Sequence, residues 1–510
     1  MRAVFSLKST CSIIQFLFLL GSCFLIGCGN SRQSSDTPSG VNQELSSLVQ
    51  TLQLSGDPSK GRNLPSINDP KAQLGMKLFF TKALSGDKDT ACVSCHHPVL
   101  GGGDDLSLPI GVDAVDPELL GPGRVHLVSG EHYDGGPTVP RNAPSTFNIA
   151  LWDQVLFHDG RVESLGKTPL KNGDDGMGIR TPDSAFGEAD PLAGQNMVTA
   201  QARFPVTSAE EMKNFGLFHG LSNAEVRTNL QQRLGDYGEP AGGFLVTNHW
   251  LDEFRAGFDE PQGSAETLIT FNNVVDAIAS YENSQVFVET PWKSYVEGDD
   301  DAISTEAKRG ALIFFKSVAD GGADCASCHS GDFFTDESFH VIGMPQIGRG
   351  KRDGENGTED FGRFRETKNA ADKYAFRTPS LLNVSATGPW GHAGAYTSLR
   401  ATIVHHLNPQ VALDNYDFTQ IAPNIQANQM RVNTQKIIDQ LNANRAAGLP
   451  SLQNVNLNEE QIDWLVEFLM SLTDPCVEDK SCLNQWIPSA EDTNPDTLRL
   501  NAMDDSGNYL

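Results

Sequence analysis

Basic side chains are scarce in this 510-residue chain: 38 Lys and Arg stand against 65 Asp and Glu, a formal charge of −27. Such a balance repels phosphate backbones, which excludes nucleic acid as a partner and argues against broad contact with anionic lipid. Acidic runs such as Asp299-Asp300-Asp301 read as solvated turns. Long apolar runs are scarce too. One stands out, residues 13–26, broken by Gln15, Gly21 and Ser22, and it is too short for a full membrane span. Cysteine is rare, with nine in the chain, and their positions leave no thiol for catalysis.

The apolar run follows Arg2 and Lys8 and ends in Leu25-Ile26-Gly27-Cys28. Residues 1–28 therefore read as an export signal that closes in a lipobox, with Cys28 left as a lipidated N-terminus. An ordinary secretory signal and an uncleaved anchor are the alternatives. Gly29 is not the Asp that retains many lipoproteins inside, so the expected location is the periplasm, anchored by lipid to the outer membrane. Residues 29–66 carry much Ser, Pro and Gly with little periodicity and are expected to be a flexible tether.

Four cysteines fall in two copies of one pentapeptide, Cys92-Val93-Ser94-Cys95-His96 and Cys325-Ala326-Ser327-Cys328-His329. C-x-x-C-H is the signature of covalent c-type haem attachment. Two cysteines three residues apart share a helical face and form thioethers to two vinyl groups, while the adjacent histidine places a nitrogen on the iron. A four-cysteine zinc site would leave both histidines unexplained. Two covalent haems are therefore the expected cofactors. Cys11 and Cys23 depart with the signal, and only Cys476 and Cys482 remain. A disulfide between them suits an oxidising compartment.

Each motif has a similar lead-in, Gly75-Met76-Lys77-Leu78-Phe79-Phe80 and Gly310-Ala311-Leu312-Ile313-Phe314-Phe315, whose glycines lie 17 and 15 residues before the first haem cysteine. The repeat predicts two cytochrome-c-like units, 67–300 and 301–475, with a tail over 476–510. Leu268, Phe271, Val275 and Ile278 mark a helix ahead of the second unit. Ile462, Leu465, Leu469 and Leu472 mark another, capped by Asn458 and stopped at Asp474-Pro475. Residues 100–260 read as long loops. The expected fold is mainly α with at most short strands.

With these motifs the chain resembles the bacterial di-haem cytochrome c peroxidases and their methylamine-utilisation relative, which oxidises tryptophans in a partner protein. Further matches are Arg141-Asn142-Ala143-Pro144, Phe157-His158-Asp159-Gly160-Arg161, Phe376-Arg377-Thr378-Pro379-Ser380-Leu381 and Gly388-Pro389-Trp390-Gly391-His392. The resemblance implies that the first haem meets peroxide beneath an acid/base glutamate marked by Q-x3-P-x5-E, here Gln201, Pro205 and Glu211. Glu210 is the runner-up. A carboxylate suits the task, because cleaving peroxide moves a proton from one oxygen to the other. The resemblance places the second haem's distal ligand 14 residues past His392, at His406, opposite His329. His405 and Met344 are the alternatives. His392 is expected to hydrogen-bond a haem propionate. A calcium ion between the units would be held by Asn142, Thr387 and Pro389.

Three departures from the family pattern bear on this. The stretch that carries a distal histidine on the first haem in some peroxidases reads Pro109-Ile110-Gly111-Val112 here. The first iron is then open, or His126 or His132 substitutes. The tryptophan between the haems is replaced by His158, with Trp152 and Trp390 as substitutes. Insertions lie around 113–138 and 168–200. The expected activity is reduction of hydrogen peroxide with electrons from a cytochrome or other small redox protein. The alternatives are an oxidase acting on a protein or small organic substrate, and a plain electron carrier. A homodimer is compatible with the resemblance.

Overall fold

The computed structural model describes residues 37–130 and 132–510, so the expected signal segment, with Cys28, lies outside the described residues. The helices used below are α1 (Pro38–Leu52), α2 (Pro70–Phe80), α3 (Asn223–Gly235), α4 (Phe271–Asn283), α5 (Thr305–Phe315), α6 (Leu399–Leu407), α7 (Met430–Ala446) and α8 (Glu459–Met470). Their starts follow local chemistry. Thr270 and Ser304 accept hydrogen bonds from the backbone N–H groups of Asn273 and Ala307 to begin α4 and α5, and Asn458 forms a reciprocal capping box with Gln461 on α8. Strands are two or three residues long. β1 (Val155–Leu156), β2 (Val162–Ser164) and β3 (Ile179–Arg180) form one antiparallel sheet, and β4 (Phe339–His340) pairs with β5 (Phe376–Arg377). The fold is mainly α, as expected.

The two lead-in glycines set the architecture. An added Cβ on Gly75 would stand 1.9 Å from the Ala277 carbonyl oxygen of α4, and one on Gly310 would stand 1.8 Å from the Trp464 carbonyl oxygen of α8. Each unit therefore crosses its leading helix over its closing helix backbone to backbone. One turn on, Tyr281 and Phe468 occupy matching places, their Cβ atoms 2.9 Å from the same hypothetical groups. Helix α4 thus closes the first unit as well as preceding the second.

A further repeat joins the units. Pro144-Ser145-Thr146-Phe147-Asn148 matches Pro379-Ser380-Leu381-Leu382-Asn383. Both asparagines hold left-handed backbone, φ 60° and 63°, and both donate side-chain N–H to the one Phe287 carbonyl at 3.0 Å. A buried ion network also bridges the seam: Arg141 donates to Asp159 of its own unit at 2.6 Å and to Asp360 of the other at 2.6 and 2.8 Å.

The chain ends change partners. Helix α1 packs on α5, burying Val41, Leu45 and Val49, each contributing about 1.5–3 kcal/mol. This corrects the expected tether: apolar residues every fourth position make 38–52 an amphipathic helix despite the polar composition around it. The 476–510 tail goes the other way, adding Val477, Leu483, Trp486 and Leu500 to the first unit's core, with Cys476 and Cys482 joined as a disulfide. The stretch expected as loops also contains α3, which Ser222 and Glu225 begin with a capping box.

Candidate functional site

A cavity in the first unit holds about 1320 Å³ of empty space, including the part open to solvent. Cys92, Cys95 and His96 line it together with Gln201, Pro205 and Glu211, so residues scattered over 120 positions meet. His96 Nδ1 bonds the Gly102 carbonyl at 3.2 Å, which leaves Nε2 as the lone-pair donor. Burial lowers the His96 pKa, keeping the ring neutral and able to ligate a metal.

Glu211 stands on a five-residue π-turn, Ala209–Lys213, after the one-turn helix that Pro205 opens. Two glycines clamp that turn. A Cβ on Gly86 would meet the Lys213 carbonyl oxygen at 2.0 Å, and one on Gly111 would meet those of Glu210 and Glu211 at 2.5 Å. Burial raises the Glu211 pKa, while Arg161 and Lys351 act to lower it. Glu210 does not line the cavity; its carbonyl accepts the Val112 N–H at 3.3 Å. Neither His126 nor His132 lines it either. His126 bonds the Leu127 carbonyl through Nδ1, and His132 stacks on Phe215 with ring centroids 3.7 Å apart.

The second unit repeats the proximal pattern. His329 Nδ1 bonds the Phe334 carbonyl at 3.1 Å, and burial, with His406 nearby, lowers its pKa to about 4. The adjacent histidines of α6 divide their roles by hydrogen bonding. His405 uses both nitrogens, Nδ1 with the Tyr396 hydroxyl at 3.1 Å and Nε2 with the Ile342 carbonyl at 3.0 Å. His406 bonds the Thr402 carbonyl through Nδ1 at 2.8 Å, which leaves Nε2 for a metal. Met344 packs instead against Gly391, whose added Cβ would lie 2.9 Å from its sulfur. His392 stacks on the Phe376 ring at 3.8 Å, and both its nitrogens are buried without a protein partner. An orphaned buried imidazole of this kind fits a polar group carried by a cofactor.

Of the expected calcium donors, Asn142 donates its amide to the Leu106 and Ser107 carbonyls at 2.9 and 3.3 Å. Thr387 lies against Gly101, whose added Cβ would stand 3.3 Å from its Cα. Pro389 is brought to neither residue by a described contact. Between the units, Trp152 lines the cavity, carries the Arg377 guanidinium 3.4 Å above its ring and meets Phe333 edge-on at 5.1 Å. His158 lines the same cavity and bonds the Asn142 carbonyl at 3.0 Å. Trp390 turns away, donating to the Val384 carbonyl.

Residues 69–301 match the family model described as di-haem cytochrome c peroxidase. Over this stretch the chain resembles the di-haem cytochrome c peroxidase family. It is 29% identical over 342 residues to the methylamine utilization protein MauG of Methylorubrum extorquens, covering 66% of this chain and 68% of that protein. It is 26% identical over 346 residues to the cytochrome c551 peroxidase of Pseudomonas aeruginosa, covering 68% and 74%. In fold it is similar to the crystal structure of a MauG-like protein associated with microbial copper homeostasis, with TM-score 0.52, 19% identity and coverage of 83% and 96%. The match is to a family of haem-dependent oxidoreductases, which implies haem as the cofactor.

Three further charged or titratable residues lie outside the motifs read from the sequence. Lys351 reaches the first unit's cavity from the second unit, and burial, then Arg141 and Arg161, lower its pKa to about 8. Glu282 lines the same cavity with Oε2 unpartnered, and burial raises its pKa to about 8. Its counterpart in the helix-crossing repeat is Leu469, so the repeat could have flagged it. Asp336, 2.7 Å from His340 Nε2, raises the pKa of that imidazole beside the second motif.

Proposed function

We propose that the protein reduces hydrogen peroxide to water at the first unit, with single electrons entering through the second. The observation that carries this reading is the shared cavity of His96, Gln201, Pro205 and Glu211, in which the other lining histidine, His158, is engaged through Nε2 with the Asn142 carbonyl. The haems, bound covalently through Cys92 and Cys95 and through Cys325 and Cys328, supply the redox-active iron. Glu211 takes a proton from one peroxide oxygen and returns it to the other, so the departing oxygen leaves as water. Gln201 orients the substrate and Pro205 shapes the turn that carries Glu211. His329 and His406 would both ligate the second iron, a donor set that suits electron transfer and would give a lower potential than thioether ligation. Trp152, in contact with Phe333, supports passage between the units. His392 holds a haem propionate.

Calcium held by Asn142, Thr387 and Pro389, lipidation at Cys28 and residence at the periplasmic face of the outer membrane complete the proposal. Among the described residues no helix is long and apolar enough to cross a membrane. A small redox protein is the electron donor, and a homodimer is the proposed assembly.

The test is consumption of peroxide by the purified holoprotein with reduced cytochrome c, together with cyanide titration. Cyanide should bind one haem only, and binding to neither would leave the carrier reading. Histidine in place of a thioether on the second iron favours one alternative, oxidation of a protein or organic substrate. A long-lived oxidised state that donor cytochromes fail to quench would select it.

A further inference from the structure

A line of aromatic rings leads from α6 to the surface of the second unit. His406 and His405 have ring centroids 5.8 Å apart, His405 and Tyr396 5.4 Å, Tyr396 and Tyr416 5.5 Å, and Tyr416 and Phe418 5.1 Å. Tyr396 and Tyr416 are buried, while Phe418 is 38% exposed and carries the Arg431 guanidinium 5.2 Å from its ring. No step in the line exceeds the 4.5–7 Å spacing of rings in direct contact.

The hydrogen bonds give the line a direction. His405 Nε2–H donates to the Ile342 carbonyl, because a carbonyl can only accept. In the neutral ring Nδ1 is then an acceptor, and the Tyr396 hydroxyl donates to it at 3.1 Å. A phenol that loses an electron becomes strongly acidic and must shed its proton. Tyr396 has a base already aimed at that proton, in a buried site without bulk water. Tyr416 lacks one, since its hydroxyl donates to the Ala395 carbonyl.

We infer that Tyr396 is a redox-active tyrosine that carries oxidising equivalents from the second haem site to reductants docked around Phe418. The inference rests on the peroxidase reading, because hydrogen peroxide supplies the equivalents. Tyr396 gives one electron to the oxidised second site, its O–H bond breaks, and the proton forms an N–H bond at His405 Nδ1. A one-electron reductant outside the protein returns the electron through Phe418 and Tyr416, and the proton goes back to Tyr396. Bulky phenols too large for the first cavity are thereby within reach.

The experiment is electron paramagnetic resonance of the holoprotein after peroxide and, separately, after flash-quench oxidation by a ruthenium tris-bipyridine photosensitiser. A tyrosyl signal is expected under flash-quench, and Tyr396→Phe should abolish it. Tyr416→Phe should keep the signal yet slow its quenching by a bulky phenol about tenfold or more, a loss equal to about 1.4 kcal/mol. Tyr396→3,5-difluorotyrosine should change the hyperfine pattern, which keeps the test sharp if the phenylalanine variant fails to fold. Absence of any tyrosyl signal under flash-quench, or its survival in Tyr396→Phe, overturns the inference. A haem spectrum unmoved by peroxide beside a normal flash-quench radical would sink the peroxidase reading and leave the relay standing.

Discussion

Replacing Glu211 with Gln keeps the side chain's size and removes its basicity, so it isolates proton transfer from packing. General acid–base groups contribute on the order of 10²–10⁴ in rate, or about 2.7–5.4 kcal/mol of barrier. Turnover with peroxide and reduced cytochrome c should fall by at least about a hundredfold, with little change in the haem spectrum. The structure also sets the pH dependence. Glu211 must be a carboxylate to accept the proton, so activity is lost as pH falls through its pKa. Burial lifts that pKa above the usual glutamate value, and Arg161 and Lys351 oppose the lift. Lys351→Met deletes one of those cations, so the acid limb of the pH–rate profile should move to higher pH, by on the order of one unit. The assay is initial rate from pH 4 to 9 for the wild type and both variants. A Glu211→Gln rate within tenfold of the wild type, or an acid limb that moves downward in Lys351→Met, would refute the reasoning.

The remaining predictions concern coordination and stability. His406→Ala should convert the second haem from low to high spin, whereas His405→Ala should leave it low spin, as read by optical and magnetic resonance spectra. Gly310→Ala gains roughly 1 kcal/mol of helix propensity, but its Cβ would lie 1.8 Å from the Trp464 carbonyl oxygen. Parting α5 from α8 should cost more, a net loss of about 1–3 kcal/mol, seen in thermal unfolding. Glu282 has a folded pKa raised by burial to about 8. Above the unfolded value near 4.5 the unfolded chain gives up a proton that the folded one keeps, so this group weakens the fold increasingly as pH climbs toward 8. Glu282→Gln should therefore raise the melting temperature at pH 8 and change it little at pH 4.

Much of the fold was legible because the two units repeat. The glycines at 75 and 310 are visible in the sequence, and the reason for them is the helix crossing each one permits. The match between residues 144–148 and 379–383 was equally open to inspection. Its meaning, two asparagines sharing the Phe287 carbonyl, lies in a contact and not in a pattern. Helix α1 was hidden by composition: three buried aliphatics among Ser, Gln and Asn carry a clear period but little average hydropathy. Around the site, Gln201, Pro205 and Glu211 were read as a motif, yet what surrounds them was not. Lys351 enters from the other unit, and a lone lysine in a Gly-rich loop gives no hint of the cavity it reaches.

Local chemistry was within the reach of sequence. The two C-x-x-C-H motifs, the apolar periods of α4 and α8 and the caps that begin them are short-range facts, governed by residues a few positions apart. Only the folded chain decided between neighbours of the same type. His405 and His406 are identical and adjacent, but one points both nitrogens at protein partners and the other keeps one back. Such choices depend on groups 60 or more residues away, such as the Ile342 carbonyl that binds His405. Long-range hydrogen bonding therefore distinguishes two imidazoles that composition alone leaves equal.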